Sequence, residues 1–345
     1  MNKNKSILWL LIVAALLISS CGPADATVSP KPTSPEPEPT RETAQTSGSS
    51  PDQISLHLTF SAHEGRVLDL AFSSGSEYLA SSGRDLAIKL WDPATGKALG
   101  SFPMKSVDMS DIDISQQENL LASGEAVWDL ETGQEVLTLM RGSVLPAFVA
   151  FSPDGGTLAL APLEEETRLW DLAAGEPAYY FPEMEEPRTK RMEYSPDGLT
   201  LAEGVIDGSI RIWGVESGEL IRTLHYSGEH DIHDIGFSPD GKYLASVGQY
   251  NRVVVWDIST GEAIQAFRTR DNMNGVSFSG DGRILAASAG AEKAVLLWDL
   301  ETGGSLGTLP LQDQSMAMTF SPDGKWLAAG TFGGEIFIWE ISPAE

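Results

Sequence analysis

Cysteine, histidine and cationic side chains are scarce in this sequence, and each shortage excludes a class of function. Cys21 is the single cysteine among 345 residues, so no internal disulfide and no cysteine-ligated metal site can form. Only five histidines are present. Lys and Arg number 23 against 49 Asp and Glu, a formal net charge of −26. The composition therefore argues against nucleic acid as a partner, because phosphates bind clustered Lys and Arg, whereas solubility alone explains the acidity.

Long apolar runs are also absent, and the longest lies at the N-terminus. Ile7 to Ile18 is apolar throughout, but a bilayer-spanning helix needs roughly 20 such residues. Lys3 and Lys5 precede this run, and small residues follow it up to Cys21, which is the layout of an export signal. The residues before Cys21 resemble the cleavage box of bacterial lipoproteins. We therefore expect residues 1–20 to be a lipoprotein signal peptide and Cys21 to carry the lipid; the alternative is an ordinary secretory signal with Cys21 incidental.

Residues 21–51 have the composition of a tether. They contain seven prolines and almost no large apolar side chain beyond Val28, so they cannot bury enough surface to offset their chain entropy. Loss of residues 1–20 would remove two lysines and no acid, which changes the net charge from −26 to −28. Such a charge repels anionic lipid, so we expect the acyl chains alone to hold the protein at the extracytoplasmic face of the cell membrane.

The remainder, residues 52–345, is repetitive. Seven tryptophans recur at intervals of 37 to 43 residues: Trp91, Trp128, Trp170, Trp213, Trp256, Trp298 and Trp339. An aromatic residue opens a turn about nineteen residues before most of them, as in "FSPDG" at Phe151, Phe237 and Phe320, and a glycine follows five residues after. Asp-Gly suits a hairpin turn because glycine accepts positive φ. Each period therefore predicts a four-stranded antiparallel sheet, which needs neighbouring sheets to cover its faces.

The motifs "LWD" at Trp91, Trp170 and Trp298 and "VWD" at Trp128 and Trp256 resemble the WD40 repeat family. The resemblance extends from residue 54 to 342 and implies an all-β, seven-bladed β-propeller. Blade 2 is short, with Ile114 in the place of the aromatic residue. The resemblance indicates the fold but says little about the function of the protein.

One strand remains after the seven repeats are counted. The segment Asp52 to His63 alternates apolar and polar residues, with Ile54, Leu56, Leu58 and Phe60 on the predicted buried face. The last repeat ends after three strands, and Leu56 to Phe60 aligns with Leu220 to Leu224, a fourth strand. The sequence therefore predicts that this N-terminal strand closes the ring by pairing with the last blade, which hides two sheet edges.

The resemblance also implies a buried polar network in blade 1, formed by His63, Ser81, Asp85 and Trp91. A hydroxyl between an indole N–H and an imidazole held by a carboxylate would stiffen the blade, so we interpret this His, Ser and Asp as structural rather than catalytic. The other blades depart from the pattern. The Asp position holds Glu164, Asp207, Tyr250, Glu292 and Gly333, and the Ser position holds Leu160, Glu203, Ser246, Ser288 and Ala329.

We find no convergent set of catalytic or cofactor-binding residues. His230 and His233 form the only close histidine pair and could in principle ligate a metal, but their spacing in a loop favours solvated residues. The acidic clusters at 164–166 and 183–186 lack the pattern of a calcium loop. No phosphate-binding glycine loop is present. The sequence therefore predicts a protein without enzymatic activity, cofactor or metal.

The favoured function is a monomeric scaffold that binds proteins of the cell envelope. A small-molecule or glycan binder that uses the central cavity is the alternative, and a propeller enzyme is less favoured. In the WD40 family, the loops between blades build one face of the ring. Here those loops hold much of the scarce positive charge: Arg66, Lys105, Arg141, Arg188, Lys190, Arg191, His230, His233 and Arg270. These residues either bind an acidic or mixed-charge partner or neutralise Asp69, Asp108, Asp111, Asp231, Asp234 and Asp271 in the same segments.

Overall fold

A computed structural model describes residues 54–106, 111–139, 147–162, 165–182, 189–225 and 231–342. The predicted signal peptide, Cys21 and the tether lie outside the described residues, as do Arg141, Arg188 and His230. Every regular element described is a β-strand. Among the described residues, no helix is long and apolar enough to cross a bilayer.

The 28 strands form seven four-stranded antiparallel sheets, or blades. Blade 1 comprises β2 (Val67–Phe72), β3 (Leu79–Gly83), β4 (Ala87–Asp92) and β5 (Lys97–Pro103). Blade 2 comprises β6 (Ile112–Ile114), β7 (Leu120–Ser123), β8 (Ala126–Asp129) and β9 (Glu135–Thr138). Blade 3 comprises β10 (Ala147–Phe151), β11 (Thr157–Pro162), β12 (Arg168–Asp171) and β13 (Glu176–Tyr180). Blades 4 and 5 comprise β14 (Thr189–Tyr194), β15 (Thr200–Val205), β16 (Ser209–Gly214), β17 (Leu220–His225); β18 (Ile232–Phe237), β19 (Tyr243–Gly248), β20 (Arg252–Asp257), β21 (Ala263–Arg268). Blades 6 and 7 comprise β22 (Met273–Phe278), β23 (Ile284–Ala289), β24 (Ala294–Asp299), β25 (Ser305–Pro310); β26 (Ser315–Phe320), β27 (Trp326–Thr331), β28 (Glu335–Ile341) and β1 (Ile54–Ser61).

The blades form a closed ring. Their first strands contact one another in the cyclic order β2, β6, β10, β14, β18, β22, β26 and back to β2. Blade 2 keeps all four strands, although each has only three or four residues. The predicted all-β, seven-bladed propeller of four-stranded antiparallel blades is therefore confirmed.

The N-terminal strand closes the ring as predicted. β1 pairs antiparallel with β28, from Ile54 opposite Ile341 to Ser61 opposite Glu335. The prediction that Leu56 is buried was wrong, because a register shift between Leu56 and Leu58 interrupts the alternation. Ile54 is 2% exposed whereas Leu56 is 56% exposed. Leu58 and Phe60 are partly buried against the core between blades 7 and 1.

The repeated "FSPDG" motif builds the turn between the first two strands of a blade. In blade 5 the Ser238 hydroxyl donates to Asp240 Oδ1 at 2.7 Å and accepts the backbone N–H of Tyr243 at 3.0 Å. Gly241 has a φ of 70°, which disfavours any side chain. The serine and aspartate thus satisfy the turn's polar groups, and the glycine reverses the chain.

The hydrophobic core is divided among the spaces between neighbouring blades. Seven buried clusters occur in the described residues, each made of side chains from adjacent blades. The cluster between blades 7 and 1, for example, joins Val67 and Trp91 to Trp326 and Ile336. Because each blade is covered by its two neighbours, no blade completes a core alone.

Antiparallel pairing gives the ring two unlike faces. The turn face carries the short turns after the first and third strands of each blade, such as residues 73–78 and 93–96. The loop face carries the connections after the second and fourth strands, such as residues 62–66 and 84–86. Ile54 and Ile341 lie side by side at the turn face. The chain therefore enters and leaves the ring on the turn face, opposite the loop face.

Candidate interaction surface and central channel

The structure brings His63, Ser81, Asp85 and Trp91 together inside blade 1. Trp91 Nε1 donates to Ser81 Oγ at 2.8 Å, and His63 Nε2 lies 2.7 Å from the same oxygen. His63 Nδ1 lies 2.7 Å from Asp85 Oδ1, and Lys89 Nζ donates to Asp85 Oδ2 at 2.9 Å. The network links the loop at 62–66 to three strands of the blade.

Burial makes this network unsuited to catalysis. His63 is 4% exposed and Ser81 is fully buried, so a substrate could not reach the hydroxyl. Burial lowers the pKa of His63 despite the neighbouring Asp85. Burial opposes ionisation of Asp85, but hydrogen bonds from Lys89 and His63 outweigh it and lower the pKa. Each polar group is occupied by another within the network, which supports the structural interpretation.

Other blades satisfy the same tryptophan with different chemistry. In blade 4, Trp213 Nε1 donates to the Glu203 carboxylate at 3.0 Å, and Thr167 and Thr189 donate to the other oxygen at 2.7 and 2.5 Å. In blade 5, Trp256 Nε1 donates to Ser246 at 2.9 Å, with the Tyr250 hydroxyl 3.1 Å away. The sequence shows these substitutions, but only the structure shows that Glu203 and Tyr250 rebuild the network.

We expect Ser81→Ala to destabilise the protein by about 2–3 kcal/mol, because it leaves the buried Trp91 N–H and His63 Nε2 without a partner. Ser288→Ala is the matched control. Ser288 occupies the same position in blade 6 and is equally buried, yet its hydroxyl makes no hydrogen bond in the described part of the chain. Thermal and urea unfolding of both variants provide the measurement. Equal losses would show that the blade 1 network adds nothing beyond packing.

The described cations of the candidate partner-binding face occupy unlike environments. Lys105 and Arg270 are exposed, and Lys190 is half-buried. His233 is half-buried, with Nδ1 2.9 Å from the Met273 carbonyl. Arg66 lies in the loop at 62–66, on the loop face. Arg191 instead points into the central channel, away from any flat surface.

Arg191 joins four blades across the channel. Its Nη1 donates to Asp69 Oδ2 at 3.0 Å and to the carboxylate of Asp111. Its Nε lies 3.0 Å from Asp234 Oδ1. These aspartates belong to blades 1, 2 and 5, while Arg191 lies on β14 of blade 4. For Arg191, the neutralisation that the sequence left open as an alternative is therefore what the structure shows.

The channel carboxylates also fasten each blade to the next. Asp69 accepts the backbone N–H of Ile112 at 3.0 Å, and Asp234 accepts that of Val276 at 2.8 Å. Glu193 accepts the N–H of Phe237 at 3.0 Å in the same way. Each bond runs from one innermost strand to the innermost strand of the following blade. The side chains therefore brace the ring from inside.

One guanidinium cannot neutralise all of these carboxylates. Burial raises the pKa of Asp111 well above its usual value, although Arg191 opposes the shift. Burial likewise raises the pKa of Asp113 and Asp234 to about 6 and that of Glu193 to about 8. The carboxyl groups of the channel therefore bind their protons more tightly than exposed carboxyl groups do.

A cavity of about 310 Å³ lies in this channel. Six aromatic residues border it: Phe72, Phe151, Tyr194, Phe237, Phe278 and Phe320. Each is only 5–7% exposed, because the rings pack into the cores between blades. The aromatic platform at one mouth that would favour a small-molecule or glycan binder is therefore not formed by these side chains.

On the loop face, Arg66, which the sequence predicted as a candidate, lies beside three residues that the sequence did not single out: Arg84, Leu86 and Phe332. The Arg66 guanidinium lies over the Phe332 ring, 4.7 Å from its centroid, and Phe332 is 43% exposed. The neighbouring loop at 84–86 contributes exposed Arg84 and Leu86, and the Arg84 N–H donates to the Arg66 carbonyl at 2.9 Å. Phe332 and Arg84 occupy the same position in blades 7 and 1, seven residues before the tryptophan. A comparison of that position across the repeats could have identified them.

Comparison with known proteins shows which repeats this sequence resembles. Four segments match the WD40 family (WD domain, G-beta repeat): residues 54–92, 218–257, 261–299 and 304–340. Similar proteins include Nuclear distribution protein PAC1 of Arthroderma otae, with 30% identity over 35% of this chain and 30% of its own length. COMPASS component SWD3 of Saccharomyces cerevisiae shows 28% identity over 35% of this chain and 42% of its own length.

Eukaryotic translation initiation factor 3 subunit I of Aspergillus fumigatus shows 28% identity over 29% of this chain and 31% of its own length. The chain thus spans less than half the length of these relatives. The matched segments include the closing strand β1 and the repeat tryptophans Trp91, Trp256, Trp298 and Trp339. The seven four-stranded blades make this chain a seven-bladed β-propeller, and the four matched segments are similar to WD40 repeats.

Proposed function

We propose that this propeller is a non-enzymatic scaffold for protein–protein interaction, held by a lipid on Cys21 at the outer side of a bacterial membrane. The scaffold proposal rests on one observation: the side chains that could carry chemistry already bind other residues of this chain. His63, Ser81 and Asp85 are engaged within blade 1, and Arg191 is engaged by three aspartates. Exposed cations such as Arg84, Lys105 and Arg270 lie on the surface, where they can meet another protein.

The names of the similar proteins also support a scaffold function. Two of their names, COMPASS component SWD3 and translation initiation factor 3 subunit I, describe parts of larger assemblies. A rigid ring with two large faces suits such a role, because its loops are held in place by a scaffold that does not rearrange. We therefore expect the loop face to bind a protein of the cell envelope.

The scaffold proposal is tested by crosslinking in intact cells, followed by identification of the captured proteins. We expect a small, reproducible set of envelope proteins to be captured by the wild-type chain. A matched control carries Arg283→Ala and Lys97→Ala, two exposed cations at the opposite face of the ring, the turn face. This control should capture the same set. Failure of the wild-type chain to capture any protein above background would contradict the scaffold proposal.

The anchor is tested by Cys21→Ser. We expect the variant either to appear in the soluble fraction or to remain as unprocessed precursor, because the acyl chains supply the binding energy for the membrane. Fractionation and mass determination of the N-terminus distinguish the two results. Fully processed Cys21→Ser protein that stays on detergent-sensitive membranes would exclude a lipid anchor at this position.

A further inference from the structure

Leu86 occupies a backbone position that leucine disfavours. It has a φ of 63° in the loop between the second and third strands of blade 1. The equivalent position, five residues before the tryptophan, also has positive φ in four other blades, where it holds Gly208, Asn251, Lys293 and Gly334. Leucine pays a steric penalty in this conformation, whereas glycine and asparagine adopt it readily. Leu86 is also 43% exposed, so no burial in the ring explains its presence.

The Arg66 side chain is held beside an exposed aromatic ring. Its Nε is buried and has no hydrogen-bond partner among the described residues, while its guanidinium lies over Phe332. A guanidinium held on an aromatic face is arranged to receive a carboxylate at its terminal N–H groups, because the ring fixes the plane of the donor fork.

The charge around this pair is also unbalanced. Within the described part of the chain, neither Arg66 nor Arg84 forms an ion pair, although acidic residues outnumber basic ones two to one in the sequence. Glu64 is the one acidic side chain in the loop at 62–66, and it pairs with neither arginine. Arg191, by contrast, is shared among three aspartates. Positive charge is therefore kept available at this place on the loop face.

We propose that Arg66, Arg84, Leu86 and Phe332, together the Arg66–Phe332 patch, dock an acidic segment of a partner protein. A carboxylate of the segment binds the Arg66 and Arg84 guanidinium groups, and an apolar side chain beside it covers Leu86 and Phe332. This inference rests on the proposed scaffold function and names its docking place and the chemistry of its partner. A strained, exposed residue at a loop tip fits such a site, since strain is retained where binding uses it.

The occupant is assigned to a second protein rather than to residues 22–51 of the same chain. Those residues precede Ile54, which lies on the turn face, whereas the Arg66–Phe332 patch lies on the loop face. The eight-residue strand β1 separates the two faces by about 25 Å. A partner that approaches the loop face meets the patch directly.

The test uses a phage-displayed library of random 12-residue peptides, selected against the chain without its first 20 residues. We expect the enriched peptides to carry acidic residues next to an apolar one. Fluorescence anisotropy of the synthesised peptides should show at least a tenfold loss of affinity with Arg66→Ala and with Phe332→Ala. The Arg283→Ala, Lys97→Ala control on the turn face should stay within twofold of wild type.

Leu86→Gly separates binding from stability. Relief of the left-handed strain should raise the Tm by about 1–3 °C, while loss of the apolar contact should weaken the enriched peptides at least threefold. A purely structural Leu86 would not give these opposite changes. Enriched peptides without acidic residues, or equal affinity for wild type, Arg66→Ala and Phe332→Ala, would overturn the proposal.

Two further outcomes bear on the occupant. A synthetic peptide of residues 22–51 that binds in an Arg66-dependent manner would make this chain's own segment the occupant and would overturn the assignment to a second protein. Crosslinked partners that persist in Arg66→Ala cells would place docking elsewhere and leave the scaffold function intact. A wild-type chain that captures nothing would instead contradict the scaffold function itself.

Discussion

Arg191→Met should destabilise the propeller by about 3–5 kcal/mol at a pH near 8, because three aspartates would lose the cation that they share. Asp69, Asp111 and Asp234 lie on three different blades and converge on one guanidinium. Methionine keeps much of the side-chain volume but none of the charge, so the carboxylates would repel one another across the channel. The measurement is the free energy of unfolding in urea, followed by circular dichroism.

The destabilisation caused by Arg191→Met should become smaller as the pH falls. Burial raises the pKa of Asp234 to about 6 and that of Glu193 to about 8, so the folded state holds these protons more tightly than the unfolded chain does. An acid with a raised pKa destabilises the fold most above its folded pKa, and the effect disappears as the pH drops towards the ordinary value. Lowering the pH from about 8 towards about 5 should therefore reduce the destabilisation that these channel carboxyl groups cause and partly rescue Arg191→Met.

Two control variants sharpen this prediction. Glu193→Gln should remove the part of the pH dependence between about 4.5 and about 8, because the amide does not ionise. Arg191→Met combined with Asp111→Asn and Asp234→Asn should recover much of the stability, since the unpaired charges are gone. A single Arg191→Met variant within about 1 kcal/mol of wild type at pH near 8 would mean that the carboxylates are well solvated without the arginine.

A chain that begins at Ala62 should lose several kcal/mol of stability or aggregate, whereas one that begins at Ser50 should melt like the whole. The shorter chain lacks the β1 ladder with β28 and the buried Ile54, whose side chain alone contributes about 1.5–3 kcal/mol. It also loses Phe60, whose ring lies 4.8 Å from that of Trp91. The exposed edge of β28 would then be open to pairing with other chains. Calorimetry and light scattering of the two chains give the comparison.

Point variants within β1 provide a matched control for the truncation. Ile54→Asp should mimic the loss, because Ile54 is 2% exposed, whereas Leu56→Asp should be nearly neutral at 56% exposure. Equal melting temperatures for the chains beginning at Ser50 and Ala62 would show that β1 does not hold the ring closed. Equal losses for the two aspartate variants would contradict the register described for β1.

The tryptophan spacing was sufficient to predict the fold, because each repeat carries the same turn glycines and the same core positions. The alternation of apolar and polar residues in β1 predicted a strand and its partner. It did not predict the register shift after Leu56, because a β-bulge leaves no signal in the amino-acid composition of the strand. Glu203 shows a related limit. A carboxylate in place of serine reads as a broken network until Thr167, Thr189 and Trp213 are seen around it.

The candidate interaction surface was less predictable than the fold. Arg66 stands six residues before the aromatic residue that opens the turn of its blade, Phe72, whereas Arg191 stands three residues before Tyr194. The two side chains also differ in orientation, because Arg66 lies on the loop face and Arg191 lies in the channel. Asp69, Asp111 and Asp234 are 43 to 122 residues from Arg191 along the chain, yet all four residues occupy the same repeat position, three residues before the one that opens the turn of the blade. An alignment of the repeats therefore groups them, but it does not show that their side chains meet in the channel.

The closing strand also determines where mechanical force would enter the ring. Any pull on the residues that precede Ile54 acts first on β1, at the position paired with Ile341. The rest of the ring is reached only through that ladder and through the loop at 62–66, where the N–H groups of Ala62 and His63 both donate to the Gly334 carbonyl. A propeller held by its N-terminal residues therefore transmits tension through the same sheet that keeps it circular. Thermal integrity and resistance to force then depend on one pair of strands.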